Sequence, residues 1–210
     1  RNKEKLEKIK KELKNIHIFE CDVSNPNEIK ALYEIISYEF PNLNILINNA
    51  GLMNKLNLQD NLSYEELTKE MNINFNGSVY MTTQFLSLLK KQKTSSIINI
   101  TSALAFVPMA YSPIYCASKV ALHSFTQSLR IQLKDTNIRV FEVAPSVTKT
   151  AMADSFSEKD MKIITTKAVV DTAIKEINKG KKEIGVGQTN ALKMLNRISP
   201  SFALKMLNKE

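Results

Sequence analysis

The amino-acid sequence predicts an α/β fold with a doubly wound parallel sheet. Short, uncharged apolar runs alternate along the chain with longer amphipathic helical patterns. Because strands joined by helices pair in parallel, this alternation gives strand-helix-strand units with right-handed crossovers. Polar residues directly follow several of the apolar runs, at the carboxyl ends of strands where open parallel sheets bind ligands. The 210 residues suffice for one domain with its own core.

The first half of the chain alternates in this way from its start. Helices are indicated by apolar stripes, by Ser or Asn at the capping position and by Pro in a first turn. The helix near the middle contains three asparagines, which are weak helix formers, so we expect some of them to distort it or bind water. The predicted elements are a charged helix over 1–14, a strand over 16–23, a helix from Pro26 capped by Ser24 or Asn25, a strand over 43–47, and a helix from Tyr64 to about Lys91 capped by Ser63, with Asn72, Asn74 and Asn76 inside it.

The second half continues the alternation. Its apolar runs are rich in β-branched residues and nearly free of charge, as buried strands are. The predicted elements are a strand over 96–101, a helix from Pro113 to about Asp135, strands over 138–143 and 183–186, a helix over 167–178 between them, and a basic, apolar tail over 191–209 that Pro200 interrupts.

One stretch after the strand over 96–101 carries the most specific chemistry. Ser102 follows the strand, and Tyr115 and Lys119 lie four residues apart in the next helix, so their side chains share one face. A nearby ammonium favours the phenolate and lowers the pKa of a tyrosine from its usual value near ~10. A serine hydroxyl can stabilise charge on a carbonyl oxygen. The three groups predict a site that interconverts carbonyls and alcohols.

A tyrosine and a lysine four apart are common on helices, so the pair alone is weak evidence. The prediction depends on convergence, because the other candidate residues also follow predicted strands at one edge of the sheet. These candidates are Asp22, Asn48 to Gly51, Ser102 and Pro145.

Composition excludes several classes of function. The chain has 29 Lys and Arg against 21 Asp and Glu, a net charge of +8, and no aromatic residues interleave the basic run at the start, so we expect no nucleic-acid partner. No apolar run reaches membrane-spanning length and no signal-peptide pattern is present, so we expect a cytoplasmic protein. Cys21 and Cys116 are expected to be buried thiols, without a disulfide or a metal.

The chain resembles the short-chain dehydrogenases/reductases, and within them the bacterial DltE-like oxidoreductases. The resemblance covers about residues 1–150 and implies a Rossmann-like fold and an oxidoreductase dependent on NAD(P), acting on a CH–OH group. The residues that carry it are Asp22-Val23, the run Asn-Asn-Ala-Gly over 48–51, Asn74, Ser102 and Tyr115 with a spacing of 13, Lys119, and a loop that starts at Pro145.

The resemblance implies a role for each of these residues. Tyr115 is expected to be the general acid/base, Lys119 to lower its pKa and bind the nicotinamide ribose, and Ser102 to orient and polarise the carbonyl. Asn74 matches the family's catalytic asparagine, which holds a proton-relay water. The expected cofactor contacts are Asp22 and Val23 beside the adenine, Asn48, Ala50 and Gly51 on the adenosine side, and Pro145, Val147 and Thr150 along the nicotinamide.

Two features depart from the family pattern. The Gly-rich phosphate loop of the family's first strand-helix-strand unit is absent from the sequence, and Arg1 corresponds to a point just after it. We therefore expect a single Rossmann-like domain over 1–210 that is truncated at its N-terminus, with 188–210 as a helical tail. The family's Pro-Gly is replaced by Pro145-Ser146, which gives the loop fewer positive-φ options.

Arg1 determines the expected cofactor. In the family, an acid at the end of the second strand holds the ribose 2′-hydroxyl of NAD, whereas a nearby arginine accepts the 2′-phosphate of NADP. Because Arg1 lies close to that position, NADP(H) is favoured and NAD(H) is the alternative.

Three other functions fit parts of the sequence. The first is a non-catalytic dinucleotide sensor or scaffold. Such a protein needs no proton donor, so the intact Asn, Ser, Tyr and Lys set argues against it. An epimerase or dehydratase of the extended relatives needs a larger substrate domain after Pro145. A peripheral membrane contact through the tail is the third, although such apolar stripes more often form a core, a lid or a subunit interface.

The expected partners are a small-molecule carbonyl or alcohol substrate and further copies of the chain. The sequence does not identify the substrate, because the loop over 151–167 carries no recognisable chemistry. A homodimer or homotetramer is expected because two long helices pair across subunits in family members. Here those helices carry Met81, Phe85, Leu88, Phe125 and Leu129.

Overall fold

Four parallel strands form the centre of the computed structural model, which describes residues 3–150, 152 and 163–208. The strands pair in the order β1-β2-β3-β4. In register, Ile47 lies opposite Ile98, Ile98 opposite Phe141, and Val143 opposite Ile184. The strands are β1 Ile45–Asn48, β2 Ser95–Ile100, β3 Ile138–Pro145 and β4 Glu183–Val186.

Helices connect the strands and cover both faces of the sheet. Pro113 begins the longest helix, and Pro200 begins the last helix, which confirms the predicted interruption of the tail. The helices are α1 Lys3–Glu12, α2 Pro26–Glu39, α3 Tyr64–Met71, α4 Gly77–Lys90, α5 Pro113–Gln132, α6 Thr166–Asn178, α7 Thr189–Ile198 and α8 Pro200–Asn208, with a π-helical turn at Asn72–Asn76 and a 3₁₀ turn at Ala103–Ala105.

Two apolar layers hold the sheet. On one face, side chains of α4 and α5 pack on β1, β2 and β3 around Phe85, Leu89 and Ile97. On the other face, α6 packs on β3 and β4 around Val143 and Ile184. A parallel sheet with helices on both faces is a doubly wound α/β architecture, so the predicted fold class is confirmed.

The predicted strand over 16–23 is wrong. Residues 16–22 form neither helix nor strand, and in the described part of the chain β1 pairs only with β2. A strand needs a neighbour for its backbone donors and acceptors. The apolar residues of the segment pack elsewhere: the rings of His17 and Phe19 lie 4.6 and 6.1 Å from the ring of Phe40 at the end of α2.

The helix predicted from Tyr64 to Lys91 is interrupted, as the asparagines indicated. A π-helical turn over Asn72–Asn76 separates α3 from α4, and its two end residues bond to each other, Asn76 Nδ2 donating to Asn72 Oδ1 at 2.9 Å. π-Turns arise where a side chain has to be redirected at a functional site. Here the redirected residue is Asn74, which is fully buried.

The helix caps follow the predictions, whereas burial is found for Cys116 and not for Cys21. Asn25 caps α2 by accepting from Asn27 N–H at 3.0 Å, and Ser63 caps α3 in a reciprocal pair of bonds with Glu66. Cys21 and Cys116 are free thiols, of which only Cys116 is fully buried. None of the described helices combines the length and the apolar character that crossing a membrane requires.

The residues expected at a subunit interface lie in the core of this chain instead. Phe85, Leu88 and Leu129 are at most 6% exposed, and Met81 and Phe125 pack against the same core cluster. These side chains are buried where α4 and α5 pack on the sheet within one chain, so they are no evidence for an oligomer.

Candidate active site

Helix α5 and the end of β2 bring Ser102, Tyr115 and Lys119 together. The three residues line one cavity of about 1620 Å³ that runs along the carboxyl edge of the sheet. Pro113 in the first turn of α5 sets the helix start, and the spacing of four then places the phenol and the ammonium on the face that looks toward β2. The predicted convergence of hydroxyl, phenol and ammonium is present in the fold.

Ser102 is held where its hydroxyl faces Tyr115. Its Oγ accepts from Leu104 N–H at 3.1 Å and so caps the short 3₁₀ turn. A hydrogen bond between the side chains of Ser102 and Tyr115 acts to lower the pKa of the phenol. The serine hydroxyl is therefore oriented toward the reacting oxygen of Tyr115.

The pKa of Tyr115 is raised, contrary to the expectation from its neighbour Lys119. Burial raises the pKa of Tyr115 to about 12; the bond from Ser102 lowers it, and the negative forms of Cys116 and Glu70 raise it further. The Lys119 ammonium lies 5.7 Å from the centre of the Tyr115 ring and donates to Ile100 O at 2.9 Å. Desolvation therefore outweighs the nearby cation, and the phenol is protonated at neutral pH.

Burial also disfavours the charged form of Lys119. Burial lowers the pKa of Lys119 to about 8 from an ordinary value of 10.5. At neutral pH the ammonium stays charged, but its charge is poorly solvated. A group of this kind is poised to bind polar oxygens that enter the cavity.

Asn74 ties the loop after β1 to α5. Its Oδ1 accepts from Leu52 N–H at 2.7 Å, and its Nδ2 donates to Leu52 O at 2.8 Å and to Ser118 Oγ at 2.9 Å. Ser118 in turn donates to Tyr115 O at 2.7 Å. Asn74, the predicted catalytic asparagine, thus fixes the position of the loop after β1 relative to α5.

Gly51 lies at the closest approach of that loop to α5. A Cβ added there would be 3.6 Å from Asn74 Oδ1 and 3.7 Å from Lys119 Nζ. The absence of a side chain therefore lets the loop approach Asn74 and Lys119 closely at the cavity wall.

A glycine makes room for Ser146 beside the cavity. The Oγ of Ser146 is buried and has no hydrogen-bond partner among the described residues. It fits there because Gly187 has no side chain: an added Cβ would lie 2.2 Å from this oxygen. The serine that replaces the family's glycine is thus accommodated with its hydroxyl against Gly187.

The structure places most predicted cofactor contacts on the cavity wall. Among the described residues, Asp22, Val23, Asn48 and Ala50 are not part of that wall, and Arg1 lies outside the described residues. The predicted contacts that line the cavity are Gly51, Tyr115, Lys119, Pro145, Val147 and Thr150.

The side chain of Asn48 faces away from the cavity. Its Nδ2 donates to Thr82 Oγ1 at 3.0 Å and to Asn99 Oδ1 at 2.8 Å, in a buried network between β1, β2 and α4. Because side chains alternate across a strand, the neighbour Asn49 is the asparagine that lines the cavity. The Asp22 carboxylate also bonds within the protein: it accepts from the N–H and the Oγ–H of Ser24 in the turn before α2.

The C-terminal helices form an apolar roof over the site. Leu195 of α7 and Leu207 of α8 line the cavity, and Leu207 packs against the cluster that contains Tyr115. Two asparagines fasten the roof: Asn196 Nδ2 donates to Phe106 O at 2.9 Å, and Asn208 Oδ1 accepts from Ala110 N–H at 2.6 Å. The tail therefore forms a lid, one of the roles expected for its apolar stripe.

A titratable cluster lies two turns farther along α5. His123 Nδ1 is 2.9 Å from both carboxylate oxygens of Glu142, which also accepts from Thr101 Oγ1 at 2.7 Å. Glu183 lies within 4.8 Å of this pair and is ion-paired with Lys193. Since each member has a protein partner, the cluster fastens α5 to the sheet.

Glu70 is a residue that the sequence analysis did not single out. Glu70 is fully buried and sits beside Tyr115 although it is in a different helix. A single acidic residue in an amphipathic helical pattern is ordinarily solvated, so nothing in the sequence distinguishes it.

Comparisons with known proteins agree with this geometry. The family described as short chain dehydrogenase matches residues 1–161. The chain is 34% identical to the uncharacterized oxidoreductase DltE of Bacillus subtilis strain 168, over 100% of this chain and 85% of that protein. It is also 34% identical to an uncharacterized oxidoreductase of Staphylococcus saprophyticus, over 77% of this chain and 67% of the relative.

Solved structures show the same fold. A short chain dehydrogenase from Burkholderia cenocepacia J2315 in complex with NADP has a TM-score of 0.79 at 24% identity, covering 90% of this chain and 76% of that one. A short chain dehydrogenase/reductase from Burkholderia phymatum in complex with NAD has a TM-score of 0.80 at 18% identity, covering 95% and 81%. Because the family match covers most of the sequence and the match to the DltE relative covers all of this chain, the chain belongs to the short-chain dehydrogenases and is DltE-like.

Proposed function

We propose that the protein transfers a hydride between a nicotinamide cofactor and a carbonyl/alcohol pair. The observation that carries this proposal is the convergence of Ser102, Tyr115 and Lys119 on one cavity, which Gly51 also lines. A nicotinamide cofactor held beside Tyr115 and Lys119 would supply the hydride for the carbonyl carbon.

The residues of the chain supply the proton and the orientation. Tyr115 is protonated at neutral pH and donates its proton to the carbonyl oxygen as the alcohol forms. Ser102 accepts from Leu104 N–H and directs its hydroxyl toward Tyr115, from where the hydroxyl can turn to stabilise charge on the carbonyl oxygen of a bound substrate. Lys119 holds ribose hydroxyls and draws the phenol toward ionisation when alcohol is oxidised.

A relay water at Asn74 stays a prediction. Both amide protons of Asn74 are committed, to Leu52 O and Ser118 Oγ. Its Oδ1 keeps one further acceptor position, and its backbone carbonyl already accepts from Ser78 Oγ at 3.1 Å. We propose that Asn74 contributes mainly by fixing the loop beside Lys119.

The substrate in this proposal is a carbonyl compound with an apolar substituent. Next to Tyr115 the cavity is walled by Met53, Leu104, Met109, Leu195 and Leu207. Burying one methylene group contributes about 0.8 kcal/mol, or roughly fourfold in affinity. A polar or charged substituent would lose its water against these apolar side chains, and the polar groups of the wall nearby include Tyr111 and Lys55.

A carbonyl screen with NADPH and NADH, followed by nicotinamide absorbance, tests both parts of the proposal. With 2-alkanones of increasing length, we expect kcat/KM to rise about fourfold per methylene until the cavity is filled. Hydroxylated ketones of equal length serve as the control and should be poor substrates. Turnover without any dependence on length would refute the apolar substrate, and no turnover with any carbonyl or alcohol would refute hydride transfer.

We propose a preference for NADP(H), which rests on Arg1 and its fork of donors for a 2′-phosphate. Replacing Arg1 with aspartate should move the ratio of kcat/KM for NADPH over NADH toward NADH by at least ~10-fold, because a carboxylate repels the phosphate and accepts from the free ribose hydroxyl. Replacing Lys3 with aspartate changes the same charge in the adjoining helix and is the control. An unchanged ratio in the Arg1 variant would contradict the preference.

A further inference from the structure

Glu70 in the last turn of α3 is a buried carboxyl group that the proposed mechanism does not use. It is 0% exposed. Its Oε1 accepts from Asn54 N–H in the loop after β1, and its Oε2 has no hydrogen-bond partner among the described residues. A buried carboxylate with an unsatisfied oxygen is costly, so its position calls for a functional explanation.

The carboxyl group faces the first turn of α5. The backbone N–H of Tyr115 lies close enough to lower the pKa of Glu70, although burial is the stronger influence and raises it. Ser112, the residue that precedes α5, makes no side-chain cap; its Oγ donates instead to Asn54 O at 2.9 Å. Glu70 thus supplies from a neighbouring helix the negative charge that the start of α5 lacks.

Asn54 is held from both sides by this arrangement. Its N–H binds Glu70 and its carbonyl binds Ser112, so the loop after β1 and the start of α5 are joined through one residue. Tyr115 is the third residue of α5, so any movement at this junction moves the phenol. The geometry makes Glu70 a support for the position of Tyr115.

The charge of Glu70 acts on the phenol as well. The titratable and polar groups around Tyr115 are Ser102 from the end of β2, Tyr111 from the segment before α5, Lys119 and Cys116 on its own helix, and Glu70 from α3. Of these, Glu70 is the acid, and a negative charge nearby disfavours loss of the phenolic proton. Cys116 is buried and burial raises its pKa, so it is a neutral thiol at neutral pH.

We infer that Glu70 is a positioning residue that fixes the first turn of α5 and places a negative charge where it disfavours ionisation of Tyr115. The effect of Glu70 on catalysis rests on the proposed function. The effect of the Glu70 carboxylate on the Tyr115 phenol is measurable without turnover.

The test is an ultraviolet titration of the phenolate. Subtracting the Tyr115→Phe protein from the wild type isolates Tyr115, which we expect to titrate above the ordinary value of 10.0. In Glu70→Gln the amide oxygen still accepts from Asn54 but the charge is gone. The titration of Tyr115 should then move to lower pH by about one unit, and the pH above which reduction slows should move in the same direction.

Glu65→Gln is the matched control, because Glu65 is an exposed acid on the same helix and its neutralisation should move neither quantity. If Glu70→Gln lowers the melting temperature and leaves the Tyr115 titration unchanged, Glu70 is only structural and the inference fails. If the variant does not fold, the wild type decides: titration of Tyr115 at or below pH 10 would overturn the inference. A titration that shifts in a protein without turnover would refute the proposed function and leave the effect of Glu70 standing.

Discussion

Replacing Tyr115 with phenylalanine is expected to lower kcat for carbonyl reduction by at least ~10²-fold, the range lost with a positioned general acid. The ring keeps its packing against Leu104 and Met109, and only the transferable proton is removed. The affinity for NADPH should stay within about twofold, because the loss concerns the transition state. Single-turnover kinetics with a verified ketone, together with a fluorescence titration of NADPH, measure both quantities.

Two further variants sharpen this result. Ser102→Ala should also lower kcat and spare NADPH affinity, since its hydroxyl faces the reacting oxygen. Tyr80→Phe removes a phenol on the outer face of α4, where the side chain is 37% exposed, and should leave kcat unchanged. Near-normal turnover by Tyr115→Phe would mean that another group donates the proton. Tight NADPH binding without turnover in the wild type would favour a dinucleotide sensor.

Replacing Lys119 with methionine is expected to abolish turnover and to stabilise the cofactor-free protein at neutral pH. The ammonium is buried, and burial lowers the pKa of Lys119 from 10.5 to about 8, which corresponds to a cost of about 3 kcal/mol in the folded state. Methionine fills similar space without a charge. Loss of the hydrogen bond to Ile100 O costs about 1 kcal/mol. We therefore expect the free energy of unfolding to increase by about 2 kcal/mol.

The pH dependence of stability follows from the same shift. Below about pH 8 both the folded and the unfolded chain hold the proton on Lys119, and the full penalty applies. Between about 8 and 10.5 the unfolded chain binds more protons than the folded one, so the free energy of unfolding of the wild type rises with pH in this window. Lys119→Met should lack that rise.

Urea unfolding of both proteins at the two ends of this pH window measures the difference. Lys134→Met is the control, because its side chain is 70% exposed and its charge should matter by less than ~0.5 kcal/mol. A Lys119→Met protein that is less stable than the wild type at neutral pH would show that the ammonium is better solvated than its burial indicates.

The sequence predicted those features that depend on local patterns. Asn25 and Ser63 cap their helices, and the weak helix former Asn74 lies in a distorted turn, because capping and propensity act over a few residues. The face shared by Tyr115 and Lys119 followed from the helical repeat alone. These predictions needed no knowledge of distant neighbours.

The features that failed or were missed depend on long-range contacts. The apolar run over 16–23 has the composition of a strand, but it has no neighbouring strand to pair with in the described chain. The Asn48 side chain could not be assigned to a sheet face without the register of β1. The pKa of Tyr115 depends on burial by α8 and on Glu70, neither of which is near it in sequence.

The π-helical turn over Asn72–Asn76 acts as a phase shift between two helices that share one axis. Each residue of an α-helix advances the side chains by about 100° and about 1.5 Å, so one extra residue rotates everything after it relative to everything before. Before the shift the buried stripe presents Glu70 to α5, and after it the stripe presents Phe85 to the sheet. A single-residue deletion in this turn would leave the residues of α3 and α4 unchanged. It would rotate the two helices relative to each other, and one of the two buried stripes would then face solvent. The length of this segment is therefore more tightly constrained than its composition.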